Sequence, residues 1–291
     1  MIKQKNTEDT RNLSELRQPT WFYGVSKQVY QEIMIMKELV HPNLIGVTDV
    51  YFGKNSINLV MPLMRTDLRA MLDKRTLTES QMKSVMQQLL RGIYALHSNW
   101  FLHRDLTPGN VFLTQDGLIK VADYGLATTY GGPKRVPLLD TVVTLWYRSP
   151  ELLFNADLYQ DKVDIWSCGC IMGEVLRGGK VLFNGQDEID QLKKIFCVTG
   201  TPSAFDTKNN TDDKPLWPEA RALLKFEAFT FKQPTHWSEI IPTASPLAID
   251  LLGKMLLLDP NKRPSAKEAL EHPWFTTPPL PVHHKKLPVI D

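Results

Sequence analysis

The chain has 291 residues, enough for one large domain or two small lobes, and 43% hydrophobic content with 23% charged residues excludes global disorder. Lys and Arg total 34 against 32 Asp and Glu, a formal charge of +2, so nothing in the charge balance points to DNA, RNA or an anionic membrane as partner. The longest apolar stretch, Ile165–Leu176, is too short to span a bilayer and carries Glu174. The N-terminus lacks an apolar signal core, and three sparse cysteines read as reduced thiols. Both features imply the cytoplasm and/or the nucleus.

In chain order, Ile2–Lys5 reads as a strand and the polar stretch from Asn6 to Thr20 as a connection. Val29, Ile33, Met36 and Leu39 fall at helical spacing. Leu44–Phe52 and Ile57–Met61 read as two strands joined by the turn Gly53-Lys54-Asn55-Ser56. After Pro62 the pattern turns helical. Thr78-Glu-Ser-Gln81 is a capping-box pattern. It opens a run with Met82, Val85, Met86, Leu89, Leu90, Ile93 and Leu96 on one face, a helix of about five turns. Val111–Leu113 and Ile119–Val121 form a short hairpin through Gln115-Asp-Gly117. Further helices are expected over Lys162–Leu176, Asp187–Phe196, Pro246–Leu258 and Ser265–Glu271. Prolines at 215, 218, 234 and 242 make Ser203–Pro242 loop-rich, and those at 278, 279, 281 and 288 suggest an extended, solvated tail over 276–291. A β-rich small lobe followed by a larger helical lobe is the implied architecture.

The chemistry concentrates in His103-Arg104-Asp105-Leu106-Thr107-Pro108-Gly109-Asn110, between the long helix and the hairpin, and in Asp123-Tyr124-Gly125 just beyond it. Two carboxylates and an amide brought together by a loop and a hairpin end suit phosphoryl transfer. One carboxylate can accept the acceptor's hydroxyl proton, while the other and the Asn are oxygen ligands for Mg²⁺.

These motifs resemble those of the eukaryotic protein kinases over nearly the whole chain. His103-Arg-Asp105…Asn110 is similar to the catalytic loop, Asp123-Tyr-Gly to the metal-binding triplet, and Ser149-Pro-Glu151 to the end of the activation segment. Asp164-Ile-Trp166-Ser-Cys-Gly169 resembles the buried central helix, and Arg263 the partner of Glu151. Thr144-Leu-Trp146-Tyr147-Arg148, His41-Pro-Asn43 and Gly200-Thr-Pro202 resemble the cyclin-dependent kinases of the CMGC group. Leu96-His-Ser-Asn-Trp100 and the proline-rich tail are most similar to the cyclin H-partnered branch.

The resemblance implies an α+β, bilobal protein-kinase-like fold: a truncated small β-rich N-lobe and hinge over 1–64, a large mainly helical C-lobe over 65–275, and an extended tail over 276–291. It implies an ATP-dependent serine/threonine kinase using Mg²⁺ and acting on Ser or Thr followed by Pro. The alternative is a pseudokinase acting as a binding or scaffold module. Asp105 would orient the substrate hydroxyl, and Asn110 and Asp123 would hold Mg²⁺. Glu32 would pair with Lys3, with Lys5 as the other candidate. Lys3, Met61, Pro62, Met64, Asp67, Phe112 and Ala122 would form the ATP site. Pro62 lacks an N–H but keeps the carbonyl the adenine amino group needs. Met61 and Phe112 also read as plain core residues. Val142, Val143, Thr144, Trp146 and Arg148 would form the pocket for the residue after the phosphoacceptor. Arg104, Glu151, Asp164 and Arg263 are expected to be structural.

The sequence also departs from the family pattern. No Gly-x-Gly-x-x-Gly occurs, so the strand pair that covers the phosphates is expected to be missing. Thr107 replaces the catalytic-loop lysine, which removes a cation beside the transferred group. Leu139 stands at the usual phosphothreonine position, and of three phosphate-clamping arginines only Arg104 persists, with Gln31 and Thr128 at the other positions. Phosphate and receptor have gone together, as charge pairing predicts. Thr141 and Tyr130 remain as alternative sites. Protein substrates and a cyclin or other activating subunit are the implied partners, although Ser26–Glu32 is far from the usual cyclin-binding signature.

Overall fold

The computed structural model describes residues 2–6, 21–22, 25–53, 56–131, 144–156, 159–203, 215–222 and 229–288, with backbone alone at 2–6, 21–22, 27 and 221–222. Its small lobe is built from β1 (Ile2–Asn6), β2 (Trp21–Phe22), β3 (Val25–Ser26), α1 (Lys27–Glu38), β4 (Asp49–Phe52) and β5 (Ser56–Val60). Three of the strands make an antiparallel sheet in the order β1-β5-β4, with Lys3 opposite Leu59. In β5, strict alternation sends Ile57 and Leu59 into the core and leaves Ser56, Asn58 and Val60 half-buried. Ser26 Oγ accepts the Val29 N–H and starts α1. Glu32, Ile35 and Met36 then share its buried face.

The expected strand over Leu44–Phe52 is shorter. Strand pairing covers only Asp49–Phe52, because the preceding backbone bonds to several different elements. Ile45 N donates to Val121 O, Val47 N to Met36 O and Thr48 N to Val60 O. Thus residues 44–48 fasten the small lobe to the large one.

The large lobe begins with β6 (Thr66–Asp67) and α2 (Leu68–Lys74), which Asp67 Oδ1 caps by accepting the Ala70 N–H at 2.8 Å. Next comes α3 (Glu79–Ser98), where Gln81 Oε1 reaches back to the Thr78 N–H. Val85, Met86, Leu89, Leu90, Ile93 and Leu96 are fully buried along its core face. Then follow β7 (Phe101–Leu102), β8 (Val111–Leu113), β9 (Ile119–Val121) and β10 (Thr128–Thr129). The order β6-β8-β9 and the separate pair β7-β10 bracket the loop that carries Asp105.

The remaining helices are α4 (Pro150–Leu153), α5 (Lys162–Leu176), α6 (Glu188–Thr199), α7 (Trp237–Ile240), α8 (Pro246–Met255) and α9 (Ala266–Leu270). α5, α6, α8 and α9 fall within the expected helical stretches or just past them: α6 runs to Thr199, α8 stops at Met255, and Asp187 and Ser265 serve as caps, whereas the short α4 and α7 were not expected, α7 lying in the stretch read as loop-rich. α5 is buried from Val163 to Leu176, so it is the central helix of the lobe. A Cβ at Gly169 would lie 2.8 Å from the Leu256 side chain and one at Gly173 2.6 Å from that of Leu182, so a larger residue at either position would make those leucines shift. Among the described residues no helix is long and apolar enough to cross a membrane.

The described part of the tail, 276–288, is mostly exposed and is fastened to the large lobe at a few points. Lys83, only 1% exposed, donates to Thr277 O and Pro279 O at 2.9 Å each. Val282 N donates to Ser80 O, His284 Nδ1 lies 2.8 Å from Asp116 O, and Leu287 is buried. The buried ammonium needs carbonyl partners, and the proline-rich segment has carbonyls that no helix or sheet uses.

Candidate active site

The loop between β7 and β8 is held from below by one buried carboxylate. Asp164 of α5 accepts His103 N at 2.9 Å and Arg104 N at 2.8 Å, with His97 Nε2 at 2.9 Å. This clamp holds Arg104 at φ 67°, in the left-handed region. Arg104 Nε donates to Leu126 O at 2.7 Å and its Nη1 to the Tyr159 hydroxyl at 2.8 Å. His103 Nδ1 accepts the Asp105 N–H, so its Nε2 carries the proton and donates to Ala122 O at 3.0 Å.

Those contacts bring Asp105, Asn110 and Asp123 to one place. Asn110 Nδ2 donates to Asp105 O at 2.8 Å and reaches Asp105 Oδ2 at 3.4 Å. Both partners are acceptors, so the amide must present its nitrogen to them and keep Oδ1 as an oxygen donor to a ligand. Ala122 N donates to Asn110 O, which ties Asp123 to the same loop. Asp123 stands at φ 66°, ψ 70°, and Tyr124 behind it is buried with its hydroxyl on Val121 O at 2.8 Å. Burial pushes the Asp105 carboxyl above its ordinary value, the Asp123 charge adds to the rise, and His103, Thr144 N–H and Asn110 oppose it. Its Oδ1 is buried and lacks a well-aligned hydrogen bond, although the Thr144 N–H faces the carboxyl. A substrate hydroxyl would complete that oxygen.

The donor set fits Mg²⁺, which takes one or two protein oxygens and keeps phosphate oxygens and water. No group of three or more His, Cys, Asp and Glu suited to a metal occurs among the described residues. A site of one carboxylate and one amide does not require such a group.

Elsewhere, the structure places the sequence-derived residues unevenly. Glu32 is 2% exposed on α1, which packs on the Tyr124–Leu126 turn. Lys3 lies on β1, but its side chain and that of Lys5 fall outside the described residues, as do Val142, Val143, Leu139 and Thr141. Met61 and Met64 are half-buried and Pro62 is exposed. Asp67 faces Phe112 across the β6–β8 pair, and Ala122 is buried at the end of β9. Thr144 N–H links the activation segment to Asp105. Trp146 Nε1 donates to Gly185 O at 2.9 Å, and Arg148 pairs with Glu188 at 2.9 Å. Glu151 and Arg263 form a buried ion pair.

Sequence reasoning missed Tyr159 as a partner of Arg104, and it missed the buried group Arg69–Tyr147–Glu174. A signal existed for the latter, since Glu174 is the lone charge in the apolar stretch Ile165–Leu176.

Comparison with known proteins agrees with this geometry. Residues 2–275 match the protein kinase domain family. The chain belongs to that family. It is 40% identical over 268 residues to cyclin-dependent kinase 7 of Dictyostelium discoideum, covering 91% of this chain and 71% of that protein. It is 37% identical over 285 residues to cyclin-dependent kinase 11 of the same organism, covering 96% and 76%. Cyclin-dependent kinase 20 of Danio rerio is 38% identical over 271 residues, covering 91% and 76%. The chain is a cyclin-dependent kinase-like protein serine/threonine kinase of the CMGC group with the bilobal α+β fold, and a pseudokinase reading is not favoured.

Proposed function

We propose that the chain transfers the γ-phosphoryl group of Mg-ATP to Ser or Thr followed by Pro in protein substrates. The observation that carries this is the convergence of Asp105, Asn110 and Asp123, with Asp105 Oδ1 buried and open to a donor. Asp105 accepts the hydroxyl proton as the hydroxyl oxygen attacks the γ-phosphorus and the bond to the bridging oxygen breaks. Its raised pKa strengthens it as a base. Asn110 Oδ1 and Asp123 hold Mg²⁺, which when bound supplies charge neutralisation on the phosphates.

Met61, the Pro62 carbonyl, Met64, Asp67, Phe112 and Ala122 surround the nucleoside, and Glu32 pairs with Lys3 at the phosphates. Val142, Val143, Thr144, Trp146 and Arg148 receive the residue after the phosphoacceptor. The anchoring of Trp146 and Arg148 to Gly185 and Glu188 supports a preformed pocket. A cyclin or other activating subunit docks on the small lobe, and activation does not pass through a phosphate at position 139. Residence is cytoplasmic or nuclear, in keeping with free Cys168, Cys170 and Cys197.

The test is phosphate transfer from Mg-ATP to paired peptides differing only in Ser-Pro against Ser-Ala, with and without candidate cyclins. Transfer to Ser-Pro alone is expected. Equal transfer to both peptides would remove the proline preference, and none to either would remove the enzyme.

A further inference from the structure

Trp146 is 38% exposed, so core packing alone does not hold it. It is fixed by a closed circuit of three hydrogen bonds with the start of α6. Trp146 Nε1 donates to Gly185 O at 2.9 Å, Gly185 N donates to Gln191 Oε1 at 2.7 Å, and Gln191 Nε2 donates to Trp146 O at 3.2 Å. Gln191 is fully buried, and each half of its amide meets the one kind of partner it can use.

The base of this circuit has little slack. A Cβ at Gly185 would lie 2.5 Å from Gln191 Cα, which is backbone and cannot turn aside. The loop before α6 is tied to the helix as well: Asp190 Oδ2 accepts Gln186 N at 3.0 Å, and Asp187 Oδ1 accepts Asp190 N at 2.8 Å. Gln191 therefore reaches Trp146 from a fixed base. On the other side, Ser167 Oγ of α5 donates to Tyr147 O at 2.8 Å. Two successive carbonyls of the Thr144–Arg148 segment are thus held by side chains of two different helices.

We propose that Gln191 is a positioning residue for the protein substrate. It touches no reacting atom. It sets the backbone at Trp146, and through it the pocket for the residue after the phosphoacceptor. A hydrocarbon at position 191 would strand the Gly185 N–H and Trp146 O. A carboxylate would keep the bond from Gly185 but turn an acceptor toward Trp146 O, which is also an acceptor. Either change releases the segment from α6. This rests on the reading of Thr144–Arg148 as the substrate segment.

The test is steady-state kinetics of the chain, with its activating subunit where one is needed, on Ser-Pro and Ser-Ala peptides. Gln191→Met and Gln191→Glu are each expected to raise KM for the Ser-Pro peptide by about tenfold or more. The preference for Ser-Pro over Ser-Ala should fall by a similar factor. KM for ATP should stay within about twofold, because the nucleotide does not meet this segment. If Gln191→Met unfolds, Gln191→Glu keeps its bond to Gly185 and serves alone. An unchanged peptide KM in a folded variant, or an equal loss for peptide and ATP, overturns the proposal. A Ser-Pro preference that is present in the intact chain and survives in the variants overturns it too, and leaves the substrate-segment reading standing. Equal use of both peptides by the intact chain removes that reading and the proposal with it.

Discussion

Arg263 closes on Glu151 as a two-pronged ion pair inside the large lobe, with Nη1 at 2.6 Å from Oε1 and Nη2 at 2.8 Å from Oε2. The guanidinium also donates to Leu257 O, Leu258 O and Lys162 O, and it lies 4.9 Å from the Trp166 ring. It thereby pins the end of the activation segment to the central helix. Removing one partner strands the other charge in the core, so Arg263→Met should destabilise the lobe by about 3–5 kcal/mol. The double variant Glu151→Gln/Arg263→Met should be milder. Denaturant unfolding of both variants checks this, and equal losses would count against a stranded charge as the cause.

Asp105 and Asp123 should fail in different ways. Asp123→Asn should abolish the thermal stabilisation given by Mg-ATP, about 2.7 kcal/mol at a hundredfold excess over Kd. Asp105→Asn should keep that stabilisation and lose about 10²–10⁴ in kcat. Calorimetric scans with nucleotide, paired with turnover assays, separate the two. Loss of nucleotide binding in Asp105→Asn would break the assignment.

Thr107 stands in the loop between Asp105 and Asn110 without the cation that phosphoryl transfer favours. Thr107→Lys should raise kcat by about tenfold or more by stabilising charge in the transition state. KM for ATP should change little. Steady-state kinetics on a Ser-Pro peptide gives the answer, and an unchanged or lower kcat would mean that other groups already neutralise the phosphoryl oxygens.

The pH profile follows from the Asp105 environment. Burial, joined by the Asp123 charge, raises its pKa. A base works in its deprotonated form, so raising the pKa moves the acid limb of kcat/KM to higher pH. Activity should fall with decreasing pH through a value above the ordinary Asp pKa of about 3.9. Peptide phosphorylation measured across pH at saturating Mg-ATP tests this, and a limb at or below the ordinary value contradicts it.

Lys83 is expected to hold the C-terminal strap. Lys83→Met leaves Thr277 O and Pro279 O without their ammonium partner and should cost about 1–3 kcal/mol. Hydrogen exchange should then rise over residues 276–288, with the Val282 amide the most affected because it bonds to Ser80 O. Unchanged protection at Val282 would show that apolar packing of Leu287 alone secures the strap.

Much of the site was legible because its parts are local. The run from His103 to Asn110 and the Asp123 triplet each occupy one loop, and the short hairpin between them leaves little freedom in how they meet. Helices such as α3 were legible because periodicity and caps act within a few residues. The shortened β4 was not, since residues 44–48 bond to Met36, Val60 and Val121, which no local pattern signals. The contacts of the tail were not legible for the same reason: its proline pattern carries no mark of the buried Lys83 that binds its carbonyls.

Neighbouring residues were enough to specify the kinase class and the loops that carry Asp105, Asn110 and Asp123, because turn geometry, capping and helical periodicity are written locally. Packing, and not local sequence, set which distant partners meet: Arg104 with the Tyr159 hydroxyl, and Arg69 with Tyr147 and Glu174. Such pairs join residues far apart in the chain. They arise from which helix faces pack together and from the need to match every charge that packing takes out of water.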